Sequence, residues 1–328
     1  MEGLIASGIG LVAGVQGWGE WLLGPMRFFS FLGSEEFFLI VLPLVYWCVD
    51  AGLGARMAFM LLIANGVNAL FKMALLQPRP YWVDESVRGL ASETSFGAPS
   101  GHAQIAAGLW GLVAAWLRSA WAWLAAMVVI GLIGLSRIYL GVHFVHDVVL
   151  GWLLGGLTLW VFVRVWEPLA VWLKQRSLGV RIALALAFSA GMILLGGGVL
   201  MAGREFVVPA EWVDNATRAG GEPPNPLTLS GIVTAMGTFF GMASGLAWMA
   251  DRGGYHAGGP LGKRVLRYLV GILGVGILYV GLRLVFPSGE DAIGLAFRYL
   301  RYMLIGLWVV AAAPWLFAKL QLTHSSKM

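Results

Sequence analysis

The sequence is poor in charge and nearly free of cysteine. Asp, Glu, Lys and Arg make up 12% of its 328 residues, about half the share of a soluble domain, so an ordinary water-facing surface is excluded. Cys48 is the only cysteine, so no disulfide can form within the chain. Internal repeats and low-complexity segments are missing. The opening stretch MEGLIASGIG has no basic run ahead of its apolar residues, and no cleaved signal segment is expected. A formal charge of +5 spread over this length does not point to nucleic acid.

What is there instead is hydrophobic residue, at 59% of the chain, with a mean hydropathy of +0.79. Apolar runs of about 20 residues match a bilayer core of about 30 Å. Backbone groups in lipid must bond internally, so the runs should be helices. The expected fold is all-α, a polytopic membrane helix bundle. Candidate spans lie near 4–24, 36–51, 54–76, 103–117, 119–137, 146–166, 180–202, 228–250, 265–286 and 295–318. The first is the weakest, because its glycines, Gln16 and Glu20 equally suit a helix lying in the interface. Two polar loops stand out, 77–102 and 203–227. Alternating the spans puts both on one side, with seven basic residues outside the motifs against twelve on the other, including Lys263, Arg264 and Arg267. By the positive-inside rule the richer side is cytoplasmic and the two loops face away from it.

Three polar clusters break the apolar pattern, all at helix ends on the loop side. The first is KMALLQPRP, with Lys72 and Arg79. Alone, such cations are ordinary interfacial residues. The second is APSGHAQ, where Ser100 suits an N-cap and His102 falls in the first helical turn. Alone, this is an ordinary cap, although free N–H groups at a helix start also bind anions. The third is SRIYLGVHFVHD, with Arg137, His143, His146 and Asp147. His143 and Asp147 are four apart and share a helix face. A carboxylate on one ring nitrogen fixes the tautomer and frees the other nitrogen. Adjacent His146 and Asp147 point about 100° apart, so His143 is the better nucleophile or base and His146 is expected to be a bystander. His143, His146 and Asp147 also allow a metal reading, but no further histidine–carboxylate cluster supports it, and no metal or cofactor is expected. Together, three cations, a helix N-terminus and two histidines describe a pocket for a phosphate dianion and its more charged transition state. Two histidines suit attack on phosphorus and protonation of the leaving oxygen.

The spacing Lys72-x6-Arg79-Pro80, Pro99-Ser100-Gly101-His102 and Ser136-Arg137-x5-His143-x3-Asp147 resembles the three-part signature of the type 2 phosphatidic acid phosphatase superfamily. The resemblance covers residues 1–166 and implies a six-helix catalytic membrane core, leaving 167–328 as about four additional transmembrane helices of unknown role. It further implies that His143 is the nucleophile that forms a phosphohistidine, Asp147 its orienting partner and His102 the acid for the leaving alcohol. Lys72, Arg79, Ser100, the Gly101 N–H and Arg137 would hold the phosphate, and no metal would be needed. The implied substrate is a lipid phosphate monoester or diphosphate, such as phosphatidate, undecaprenyl diphosphate, phosphatidylglycerol phosphate or a sphingoid-base phosphate, entering from a bacterial-type plasma membrane at its outer face. GSEEFFLIVLPLVYWCVD, SRIYLGVH and the surplus of C-terminal helices are similar to the sphingosine-1-phosphate phosphatase branch, although Gly101 stands where that branch usually has threonine. A transporter or scramblase built on a retained phosphatase core is the competing reading, motivated by the extra helices. A haloperoxidase, the superfamily's distant branch, has no halide-site feature behind it. Glu35 and Glu36 could line a substrate entrance or merely suit a helix N-terminus. The 16 tryptophans are expected as interface anchors, loop 203–227 as a cap on the pocket or a linker, and His256 and His324 have no assigned role.

Overall fold

The computed structural model describes residues 2–323, with side chains from residue 7; His324 and Lys327 lie outside the described residues. In chain order the helices are α1 (Glu2–Gln16), α2 (Leu23–Phe31), α3 (Glu35–Leu44), α4 (Ala51–Leu75), α5 (Pro80–Val83), α6 (Gly101–Leu117), α7 (Ala120–Tyr139), α8 (Val145–Lys174), α9 (Leu178–Ala202), α10 (Ala210–Arg218), α11 (Ser230–Ala250), α12 (Leu261–Val285), α13 (Ala292–Leu307) and α14 (Ala313–Lys319). π-helical turns extend α3 (Val45–Val49) and join α13 to α14 (Trp308–Ala312). There is no β-strand among the described residues. The breaks follow local chemistry. Asp50 Oδ1 accepts from Leu53 N and caps α4 at 2.6 Å. Pro78 and Pro80 follow the end of α4, where the chain cannot continue as helix. Asp291 caps α13 through Gly294 N at 2.8 Å.

Seven stretches are long and apolar enough to cross a membrane, or eight if the pair 20–31 and 35–49, bent by 50°, forms one span. That is fewer than the ten spans expected from hydropathy. The stretch 4–24 is not one helix: it breaks after α1, and Gly19 adopts φ 115°, a conformation other residues rarely take. α6 has 17 residues, short for a full crossing. Large apolar side chains remain exposed along the long helices, among them Leu153, Leu157, Leu194 and Leu273. Such a surface belongs in lipid, and the chain is an integral membrane protein.

The described chain divides into two compact units. They do not follow the expected 1–166 and 167–328 segments in chain order. The first comprises 1–38, 67–163 and 198–228; the second comprises 39–66, 164–197 and 229–328. In the first unit, α6 and α8 approach closely because α8 presents Gly151 and Gly155. A methyl group at Gly151 would meet Ser100 O at 2.6 Å, and one at Gly155 would meet Gln104 O at 2.4 Å. This small-residue seam, spaced one turn apart, brings the start of α6 against the start of α8. The core of the unit contains Tyr81, Trp82, Phe96, Tyr139, Val142 and Phe144.

The second unit uses the same device. Gly237, Gly241 and Gly245 line α11 and let the backbone and side chains of 299–311 pack against it. Arg267, fully buried, ties down the 255–258 turn by donating to Tyr255 Oη (2.8 Å) and to the carbonyls of Ala257 (2.9 Å) and Gly258 (3.0 Å). His256 lends its carbonyl to the same arginine at 3.4 Å.

Candidate active site

All eight site residues read from the sequence lie in the first unit. The loop between α5 and α6, the start of α6 and the α7–α8 turn hold them together. Ser100 N donates to Asp147 O at 2.9 Å, which joins the second cluster to the third through backbone alone. Ser100 Oγ, fully buried, accepts from Ala103 N and caps α6. Gly101 opens the helix beside Asn68, whose Oδ1 would lie 3.3 Å from a methyl group there. Asn68 donates to Pro99 O at 3.2 Å and to Gln104 Oε1 at 2.8 Å, so α4 holds the turn that precedes His102.

His143 is 1% exposed and Asp147 is fully buried. Asp147 Oδ2 accepts from Phe144 N at 2.9 Å and lies 3.4 Å from His143 Nδ1. The carboxylate thus assigns the proton to Nδ1. His143 Nε2 then carries the lone pair, and Arg79 Nη1 stands 3.2 Å from it. The expected separation of His146 from Asp147 needs correction. Its Nε2 is 3.2 Å from Asp147 Oδ1, although Oδ1 has no partner in hydrogen-bond geometry. Adjacency did not keep the two apart, because the ring folds back to stack on Phe144 (5.2 Å between centroids) at the helix start, with Nε2 beside the carboxylate. The His146 side chain is 40% exposed and gives Asp147 Oδ1 no hydrogen bond, so solvent leaves the contact worth about 1 kcal/mol or less. His146→Ala should therefore retain kcat/KM within about tenfold of the wild type, measured by phosphate release.

The three cations are placed unequally. Lys72 Nζ donates to Ser95 Oγ at 2.8 Å. Arg79 is fully buried, and most of its donors serve the backbone: Nε to Ser95 O (2.7 Å), Nη1 to Val142 O (2.9 Å) and Nη2 to Phe96 O (3.1 Å). Arg137 Nη1 donates to Ser30 Oγ of α2 at 2.6 Å, Nη2 pairs with Glu93 Oε1, and its buried Nε has no partner. Glu93 Oε2 lies 3.5 Å from Arg79 Nη2. Burial opposes the charge on Glu93, but Arg79 and Arg137 outweigh it and hold the carboxyl below the usual range. Burial, then Arg79, Arg137 and Lys72, keep the His143 imidazole well below its ordinary pKa. Its desolvated surroundings, then Arg137, lower His102 to about 3. Both rings are neutral bases at pH 7.

Glu93, Ser95 and Asn68 were not read from the sequence. One signal for Glu93 was available. A buried cation trio needs a counter-anion, and Glu93 is an acid in an acid-poor chain, seven residues before Ser100 in the loop that carries the motif. Among the described residues no group of three or more His, Cys, Asp or Glu is arranged to hold a metal ion. Glu35 and Glu36 occupy the first turn of α3, where acids complement the helix dipole.

Two family models match. One, described as the PAP2 superfamily, matches residues 53–170; the other, described as the PAP2 superfamily phosphatase transmembrane extension, matches 233–326. Human glucose-6-phosphatase 3 is 32% identical over 186 residues, covering 49% of this chain and 54% of that protein. Phosphatidylglycerophosphatase B of Bacillus subtilis is 31% identical over 156 residues, covering 41% of this chain and 70% of that protein. Undecaprenyl-diphosphatase of Sulfolobus acidocaldarius is 32% identical over 137 residues, covering 41% and 66%. The chain thus spans about half the length of glucose-6-phosphatase 3. The crystal structure of a PAP2 type phosphatidylglycerolphosphate phosphatase from B. subtilis overlaps 48% of this chain and 86% of its own, at 26% identity and a TM-score of 0.42. None of the relatives named here is a sphingosine-1-phosphate phosphatase, and that finer resemblance gains nothing from them.

Proposed function

Because the chain belongs to the PAP2 superfamily of phosphatases, we propose that it hydrolyses the phosphate of a membrane lipid through a phosphohistidine on His143. The observation that carries this reading is the His143–Asp147 pair, its nucleophilic nitrogen turned toward Arg79 beside Lys72 and Arg137. Nε2 attacks phosphorus as the bond to the leaving oxygen breaks, and His102 gives that oxygen its proton. Water then attacks the phosphohistidine and releases inorganic phosphate. Neutral His143 is ready to attack. His102 must first gain a proton, which burial and then the surrounding cations oppose. A phosphate dianion among those cations offsets their field and raises the affinity of His102 for that proton. Donors already fixed in a buried site cost little reorganisation as charge develops.

A lipid substrate is supported by where the groups stand. Lys72 and Arg137 are in the last turns of α4 and α7, and Asp147 is in the first turn of α8. The phosphate would sit at the membrane surface with its tail in the bilayer. The loop charge bias supports an extracytoplasmic site. Catalysis is assigned to residues 1–166, and the helices beyond retain no assigned chemistry. The match to glucose-6-phosphatase 3 favours a second reading, a water-soluble sugar phosphate in the same pocket.

Phosphate release by purified protein decides between them. The panel is phosphatidate, phosphatidylglycerol phosphate, undecaprenyl diphosphate, sphingosine-1-phosphate and glucose 6-phosphate. Turnover of a lipid with vanadate inhibition and no loss in EDTA is the expected result. Vanadate mimics five-coordinate phosphorus and should occupy the cation cluster. No phosphate release from any of the five would favour the transporter or scramblase reading.

A further inference from the structure

Glu93 places a carboxylate where the proposed function needs a phosphate. It engages Nη2 of Arg137 and faces Nη2 of Arg79, and charge-assisted pairing with guanidinium is also how phosphate would bind. A phosphate and this carboxylate cannot share those donors. The Arg137 Nε, buried and without a partner, marks a guanidinium whose bonding capacity Glu93 does not exhaust.

The backbone of Glu93 is held from both sides. Tyr81 Oη donates to Glu93 O at 3.0 Å and accepts from Glu93 N at 3.1 Å. The connection between α9 and α11 holds the neighbours: Glu222 N donates to Ser92 Oγ at 3.1 Å, and Asn225 N donates to Thr94 O at 3.0 Å. This connection is anchored in turn by α10. Asn215 donates to Trp82 O at 3.0 Å, Trp212 packs on Trp82 at 6.0 Å, and Arg218 pairs with Glu85. Residues 203–227 fall between the two matched family regions, yet they clamp the loop that carries Glu93. The side chain itself is 25% exposed, so it has room to swing outward while its backbone stays fixed.

We propose that Glu93 is a built-in competitor for the phosphate site, held over Arg137 and Arg79 by the 203–227 clamp and displaced each time phosphate binds. The inference rests on reading the cluster as a phosphate site. Its consequence is easier release of product. A dianion held by Lys72, Arg79 and Arg137 would leave slowly, whereas a tethered carboxylate retakes the guanidiniums as it goes. Asp147 cannot serve this way, because its Oδ2 is committed to Phe144 N and His143.

The test measures binding of inorganic phosphate to the detergent-purified full chain by calorimetry, independent of turnover. Glu93→Gln keeps the shape and removes the charge. The expected result is phosphate bound about tenfold or more tightly, since the competing charge-assisted pair is gone. Ser92→Ala, which loosens the clamp, should tighten phosphate about twofold in the same direction. Equal or weaker phosphate binding by Glu93→Gln overturns the proposal, because a residue that merely holds Arg137 in place would weaken binding when removed. If Glu93→Gln does not fold, Ser92→Ala decides on the same sign. Phosphate binding to neither wild type nor variant overturns the phosphate-site reading along with this one. A wild type that binds phosphate, paired with a variant that binds no better, overturns this one alone.

Discussion

His143→Ala should abolish phosphate release while the protein still folds. The expected loss is at least about 10⁴-fold, since without a nucleophile only binding and electrostatic stabilisation remain. The ring is buried, but its polar contacts are few. Nδ1 faces Asp147 at 3.4 Å and Nε2 faces Arg79 at 3.2 Å. The two partners keep other bonds when it goes. Asp147 Oδ2 retains Phe144 N, and Arg79 Nη1 retains Val142 O. The variant should therefore elute as the wild type does in size-exclusion chromatography, with a melting temperature lowered by the cavity alone. His146→Ala, one turn away, is the matched control. Phosphate release near the wild-type rate from His143→Ala would sink the phosphohistidine mechanism. A folded but inactive His146→Ala would shift the chemistry to the other side of Asp147.

The candidate cluster was legible because its parts are local. His143 and Asp147 sit within one helical turn, and Pro99 to His102 spell a helix start, so spacing alone fixed their relation. The start of α6 followed from its Ser100 cap. What could not be read was decided by contacts between distant segments. Glu93 meets Arg137 across 44 residues, and Asn68 meets Pro99 across 31. No local pattern encodes either. The helix α10 was hidden for a similar reason. Its flanks are rich in proline and glycine, and its apolar residues Trp212 and Ala216 gain their partners only once the 77–102 loop is folded. The count of spans failed where hydropathy ignored backbone. An apolar average over 4–24 does not register that the chain turns at Gly19. His146 shows the limit of helical-wheel reasoning at a helix start, where the side chain of the second residue can come beside that of the third.

Arg79→Lys is expected to cost the fold as well as the chemistry. The sequence motif implies that Arg79 holds phosphate oxygens. Its geometry adds a larger duty. One planar guanidinium donates to Ser95 O, Phe96 O, Val142 O and Ser95 Oγ, with the Glu93 carboxylate beside it and its face toward Trp82 at 5.7 Å. It therefore stitches the 93–96 loop to the turn just before His143. A lysine ammonium has three donors at a single point and cannot span carbonyls on two segments. At least one buried carbonyl would be left without a partner, at about 1–3 kcal/mol each, and the full loss should approach about 3–5 kcal/mol. The expected result is a clearly lowered melting temperature in detergent together with loss of phosphate release. Lys72→Met gives the contrast. Lys72 Nζ donates to one hydroxyl, so that variant should lose activity with a smaller change in melting temperature. If Arg79→Lys instead melts with the wild type but turns over no substrate, the guanidinium acts on phosphate and the carbonyl contacts carry little stability. If it melts early and phosphate binding falls with it, the arginine builds the pocket before it serves it.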